Sequence, residues 1–271
     1  MNLIKNKRIF NFGLISLLAL SQPSYATQSN EELAKKLANP VASLISVPFQ
    51  VNYDENIGLN DKGSRITTNI QPVVPISLNK DWNLISRTIL PVVSQKDVIP
   101  NSSSEFGIGD TVQSLFFSPV SATDSGWIWG AGPVFLLPTA SDKNLGTEKW
   151  GAGITGVALK QTGAWSYGAL ANHIESVAGD RQRSDVSSTF MQPFLAYTTS
   201  NAMTISLNTE STYDWESKAW TVPVNFSITQ VVKFGEQLVS IGGGLRYWAK
   251  TTNTSPEGVG IRLQLTLLFP K

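Results

Sequence analysis

The chain has 271 residues with 21 basic and 20 acidic side chains, a formal net charge of +1, a single histidine and no cysteine. That balance leaves no basic footprint for nucleic acid. The missing thiols exclude disulfide scaffolds, thiolate metal sites and cysteine nucleophiles, and one histidine argues against a histidine-based metal centre.

The first 26 residues carry a basic start (Lys5, Lys7, Arg8), an apolar run from Phe10 to Leu20 and a small-x-small site at Ser24-Tyr25-Ala26. These features predict a secretory signal peptide over 1–26, whose removal leaves 18 basic and 20 acidic residues, a net charge of −2. No other stretch approaches the ~20 uninterrupted apolar residues of a spanning helix, so any membrane residence must come from strands. Over 27–43 a short helix is expected: Ser29 and Glu32 stand at capping-box spacing, Leu33 and Leu37 lie one turn apart, and Asn39-Pro40 stops it. The segment reads either as a solvated periplasmic arm or as a plug folded into a barrel mouth.

From 44 to 271 the pattern is that of an all-β, transmembrane antiparallel barrel. Twelve segments of period-two hydrophobicity are expected near 44–56, 65–78, 81–93, 105–118, 126–138, 149–161, 164–176, 187–199, 202–213, 219–232, 236–249 and 257–269. In the last, Val259, Ile261, Leu263, Leu265, Leu267 and Phe269 alternate with Gly260, Arg262, Gln264 and Thr266. Lipid would face the first set and a lumen the second. Connections alternate between long polar loops, such as Thr139 to Thr147 and Gly179 to Asp185, and short turns, such as Asn79-Lys80 and Thr162-Gly163, with Val120 to Ser125 the exception. Loops outside and turns in the periplasm is the outer-membrane arrangement. The segment 105–118 has no regular register, because Asp110 and Gln113 cannot both face inward without a bulge.

Tryptophans cluster near segment ends. Trp82, Trp127, Trp129 and Trp165 fall at periplasmic ends and Trp150, Trp215, Trp220 and Trp248 at loop-side ends, which predicts two aromatic girdles at the membrane interfaces. Trp248 and Ile85 are also candidates for an apolar part of the lumen. Arg87, Glu210, Arg246 and Arg262 alternate with Asn83, Ser206, Ser240 and Gln264 and so belong to the polar faces. On the lipid side each charge would cost roughly 2–4 kcal/mol near midplane. With Asp110 or Asp54 they form either a buried network filling a narrow barrel or a constriction that selects solutes by charge.

The segments Leu37 to Gln50, Ile70 to Pro75, Asp81 to Thr88, Gly130 to Thr139 and Gly244 to Trp248 together resemble a bacterial family of outer-membrane barrels. Its members are labelled "transporter", sometimes miscalled neuromedin U, and are grouped with proteins named for the meta-pathway of phenol degradation. The resemblance implies an outer-membrane protein and leaves its solute undefined.

Two constellations invite other readings. Gly151-Ala-Gly-Ile-Thr-Gly156 matches G-x-G-x-x-G, but neither a helix pattern nor an acidic residue in a βαβ context follows it, so a dinucleotide fingerprint is not expected. His173 invites comparison with the Ser-His-Asn site of the twelve-stranded outer-membrane phospholipases. No serine in a signature motif matches its height, however, and Asn172 points to the opposite face of a regular strand.

The sequence therefore predicts an outer-membrane channel or transporter for passive uptake or efflux of small solutes, including partly hydrophobic ones. It is expected to be no enzyme and to need no cofactor or metal. Its expected partners are the solute, outer-membrane lipids and the barrel assembly machinery. A closed structural or partner-binding barrel is the alternative, with an outer-membrane phospholipase a more remote one.

Overall fold

The computed structural model describes residues 29–58, 60–99 and 104–270; the segment read as a signal peptide lies outside them. A helix α1 (Asn30–Leu37) precedes twelve barrel strands. These are β1 (Ile45–Ile57), β2 (Gly63–Ile70 and Val73–Ser77), β3 (Trp82–Lys96), β4 (Ser104–Ile108 and Thr111–Pro119), β5 (Trp127–Leu137) and β6 (Lys149–Thr162). They continue with β7 (Trp165–Gly179), β8 (Ser187–Thr198), β9 (Met203–Thr209 and Ser211–Asp214), β10 (Ala219–Phe234), β11 (Gln237–Lys250) and β12 (Gly258–Phe269). Each strand pairs antiparallel with its sequence neighbours, and β1 pairs with β12 from Ile45 opposite Phe269 to Tyr53 opposite Ile261, which closes the sheet.

The period-two pattern dictates which face is which. Along β12 the residues Val259, Ile261, Leu263, Leu265 and Phe269 are exposed on the outside, while Arg262 and Leu268 are buried inside. Adjacent β11 adds Ile241, Leu245 and Tyr247 and β10 adds Phe226 and Ile228 to the same outer surface. An apolar belt this continuous is untenable in water and suits hydrocarbon. Closure supplies the other requirement of that medium, that every spanning backbone group be paired within the protein.

Short turns follow from local chemistry. Thr162 and Trp165 pair across a two-residue connection whose Gly163 has φ +58°, the left-handed conformation of a primed hairpin turn. The G-x-G-x-x-G run lies within β6 with no helix after it. A Cβ on Gly153 would stand 1.7 Å from the His173 carbonyl oxygen, so glycine there answers to strand packing.

The register of β4 is resolved by an interruption at Gly109-Asp110. Gln113 faces outward and satisfies itself on Ser86 Oγ, Thr88 Oγ1 and the Arg87 and Ser114 carbonyls.

Three of the tryptophans expected at the periplasmic end, Trp127, Trp129 and Trp165, are exposed on the outer surface. Edge-on aromatic pairs Trp82–Trp129, Trp127–Tyr167 and Trp165–Tyr197 link that rim. Near the loop end, Tyr213 packs against both Trp215 and Trp220, and Trp150 is exposed. Trp248 departs from the expected girdle. It shares the inward parity of Arg246 and donates its indole N–H to Asp54 at 2.8 Å, so it belongs to the lumen.

Helix α1 starts at Ser29, whose hydroxyl accepts from Glu32 N–H, and carries the i,i+4 ion pairs Glu31–Lys35 and Glu32–Lys36. Its Leu33 and Ala34 pack with Ala42, Leu44, Val231 of β10 and Leu268 of β12. Val41, just past the helix, packs on Ile85, Phe116, Val157, Leu159 and Leu170 from the opposite wall. Because these are inward-facing side chains, the N-terminal segment lies inside the barrel and bridges its two sides.

Trypsin added to intact cells should cut after Lys143 or Arg181, which are exposed in the longer connections, and spare Lys80 in a short turn and Lys233 at the short-turn end of β10. Mass spectrometry of the fragments checks this; cleavage at Lys80 or Lys233 with Lys143 intact would reverse the orientation.

Candidate lumenal site

Inward parity brings Asn52 and Asp54 of β1, Arg246 and Trp248 of β11 and Arg262 of β12 onto one stretch of wall, with Glu210 facing them from β9. Glu210 sits where β9 is interrupted, opposite Pro223 of β10. Proline has no N–H to return, so the ladder breaks there, although Glu210 N–H still donates to the Pro223 carbonyl. Arg262 is 1% exposed. Its Nη1 and Nη2 donate to the two Glu210 oxygens at 2.9 and 2.8 Å, and its Nε donates to Asn52 Oδ1 at 2.7 Å. This bidentate fork uses most of the donors that make guanidinium burial tolerable.

Arg246 is held more loosely. It lies 3.8 Å from Glu210 and 3.9 Å from Asp54, its Cζ sits 4.4 Å from the centroid of the Trp248 ring, and its buried Nε has no partner among the described residues. Arg87 of β3 donates from Nη2 to Gln71 Oε1 at 3.0 Å, and among the described residues no carboxylate lies within 4.0 Å of it. Gln71 occupies the interruption of β2 before Pro72, a second proline-linked break that turns a side chain to account. Arg65 Nε donates to Gln95 Oε1 at 2.8 Å, and Gln95 Nε2 donates to Glu105 Oε2 at 3.1 Å, forming a second relay.

Of the expected charges, Glu210, Arg246 and Arg262 meet directly, and Arg87 meets the Gln71 amide oxygen instead. Asp110 does not join them. Its carboxylate accepts from the Ala140 and Thr147 N–H groups and the Thr147 hydroxyl, which fixes the β5–β6 loop. The break in β4 carries it away from the inward register. Asp54 accepts from the Trp248 indole and lies 3.9 Å from Arg246. Asn52, Gln71 and the Arg65–Gln95–Glu105 relay were not singled out from the sequence. The inward parity of polar residues in β1 and β2 was the available signal.

At the loop end, Lys149 Nζ reaches Asp185 at 2.8 Å and Ser176 donates to the same oxygen. The Lys149 hydrogen bond, then that of Ser176, holds the Asp185 carboxyl below its ordinary range.

His173 faces outward. Its ring nitrogens meet Thr189 Oγ1 at 2.9 Å and Glu175 Oε1 at 2.8 Å. The nearby Ser187 hydroxyl donates to Glu175 and not to the imidazole, and Asn172 lies on the inner face of the same strand.

Between the arginine network and the N-terminal segment lies a cavity of about 270 Å³. Polar groups such as Gln192, Ser206 and Gln264 share its lining with apolar ones such as Leu170 and Phe194. Among the described residues no cluster of potential metal ligands is present.

No family model matches the chain, and no curated protein matches it. Among solved structures it is similar to an outer membrane channel from Pseudomonas putida F1, at 13% identity and TM-score 0.65, over 83% of this chain and 94% of that one. It is also similar to outer membrane phospholipase A from Escherichia coli, at 9% identity and TM-score 0.47 over 83% of this chain and 96% of the other. At that lower score the likeness bears on no chemistry. The comparison establishes the fold, a closed twelve-stranded barrel of the outer-membrane type with one short N-terminal helix.

Replacing Glu210 by Gln should destabilise the barrel by about 3–5 kcal/mol, because it leaves Arg262 buried with no counter-charge. Adding Arg262→Gln to that variant should recover part of the loss. Urea unfolding in lipid vesicles checks both; a small, additive pair of effects would show that the fork contributes little.

Proposed function

We propose that the protein is an outer-membrane channel for passive passage of small solutes, with the N-terminal helix acting as a plug at the periplasmic side. The observation that carries this is the cavity of about 270 Å³, lined by inward-facing side chains and the N-terminal segment and bordered by Arg87. A barrel serving only as a membrane anchor gains nothing from an interior of this kind, since buried ion pairs are poor sources of stability compared with apolar packing. The mixed lining supports solutes that are partly hydrophobic.

The reading contains no catalytic step. His173 has a threonine and a glutamate as its partners, and the backbone donors around it belong to the sheet ladder, which leaves none for an oxyanion. Outer-membrane lipids contact the apolar belt and its aromatic rims, and insertion would be the work of the barrel assembly machinery.

Planar-bilayer recording of the purified protein tests the proposal. Discrete openings are expected, and deletion of residues 29–42 should raise their conductance by removing the segment that bridges the lumen. A barrel that stays silent with and without that segment would favour the closed, structural alternative.

A further inference from the structure

The cavity beneath the network has an unusual electrostatic lining. The charged residues lining it are Lys36 and Arg87, both cations, and no carboxylate takes part. Lys36 already pairs with Glu32 at 3.2 Å. Arg87 has only the neutral Gln71 oxygen. Glu210, the carboxylate at the centre of the network, is engaged by both Nη atoms of Arg262 and lies 3.8 Å from Arg246. Arg87, Arg246 and Arg262 thus share two carboxylates, Glu210 and Asp54, and the positive charge left over is that of Arg87. Including Arg65 and Glu105 leaves the same excess.

A charge held away from bulk water without a counter-charge is costly, and the strongest complement to a guanidinium is a planar oxyanion bound by two parallel N–H donors. The cavity beside Arg87 offers space for one. Its size falls just under the ~300–1,000 Å³ of typical ligand sites, which limits the occupant to a small molecule. Leu170, Phe194, Val73 and Leu44 supply an apolar surface next to the charge, so a fully hydrated inorganic anion would leave that surface unmatched.

Resting on the channel reading above, we infer that this cavity is a binding station for small amphipathic monocarboxylates, with Arg87 receiving the carboxylate and the Leu170–Phe194 side receiving the hydrocarbon body. The station lies on the solute path, between the network and the plug helix, and makes the channel selective by charge and by shape together.

Equilibrium dialysis of the full-length protein in nonionic detergent, against barrel-free micelles as control, tests this with hexanoate, hexanol and hexylammonium. Hexanoate should bind at least about tenfold more tightly than the other two. Arg87→Gln should abolish that preference, and Arg87→Lys should restore part of it, since the charge returns without the paired donors. Because Arg87 lacks a counter-charge, the Gln variant should fold as well as the parent, as read by its heat-shifted mobility on gels. Hexylammonium bound as tightly as hexanoate by the unaltered protein would overturn the proposal whatever the variants do, and so would undiminished hexanoate binding by folded Arg87→Gln. Chloride conductance of the same preparation separates the two readings. Hexanoate binding without current removes the channel and leaves the station, whereas current without hexanoate preference removes the station and leaves the channel.

Discussion

Everything in this molecule depends on closure of the sheet between β1 and β12. Nine facing residue pairs from Ile45–Phe269 to Tyr53–Ile261 leave no free edge on that seam. In hydrocarbon an unpaired N–H or carbonyl has no water to turn to, so a spanning sheet must be a cylinder. A cylinder fixes two surfaces with opposite demands. The outer one must be apolar between its aromatic rims, and the inner one must accommodate whatever the alternate residues of twelve strands project into a narrow space.

That inner surface meets its demand in two ways. On the side of β3 to β7 it is filled by apolar packing, with Ile85, Phe116, Val157, Leu159 and Leu170 gathered around Val41 of the N-terminal segment. On the side of β9 to β12 and β1 it is filled by charge, centred on the Arg262–Glu210 fork with Asn52, Asp54, Arg246 and Trp248 about it. The fork ties β9 to β12 across the interior, where no backbone ladder connects them. Helix α1 and the residues after it then span the gap between the two sides near the short-turn end. The cavity is what these three fillings leave.

Much of this was legible from alternation alone. The twelve segments, the short turns and the inward placement of Arg87, Arg246 and Arg262 all follow from a period of two, because a one-residue slip would turn every charge toward lipid. Legibility stopped where the period is broken. Asp110 stands at the interruption of β4, so its parity says nothing about its direction, and its carboxylate is taken up by the loop at Thr147. Glu210 stands at a comparable break, yet the Pro223 carbonyl keeps its backbone close to β10 and its side chain inward. For Trp248 the girdle expectation and the lumen expectation compete, and the second fits. Nearness to a strand end suggested the girdle, but parity governs direction, and parity sets it beside Arg246. The destination of the N-terminal helix could not be read at all. Whether an amphipathic segment lies in water or in a barrel mouth depends on the volume that the twelve inner faces leave open, which is a sum over the whole fold.

Arg87, Arg246 and Arg262 outnumber Glu210 and Asp54 by one positive charge, and in a barrel that conducts as proposed this excess should face the passing solute. The zero-current potential of single channels in a potassium chloride gradient tests it most directly, since a narrow low-dielectric passage magnifies the effect of an unbalanced charge. The account predicts a potential of the sign given by chloride passing more readily than potassium. A potential of the opposite sign, through a barrel that conducts, would contradict it.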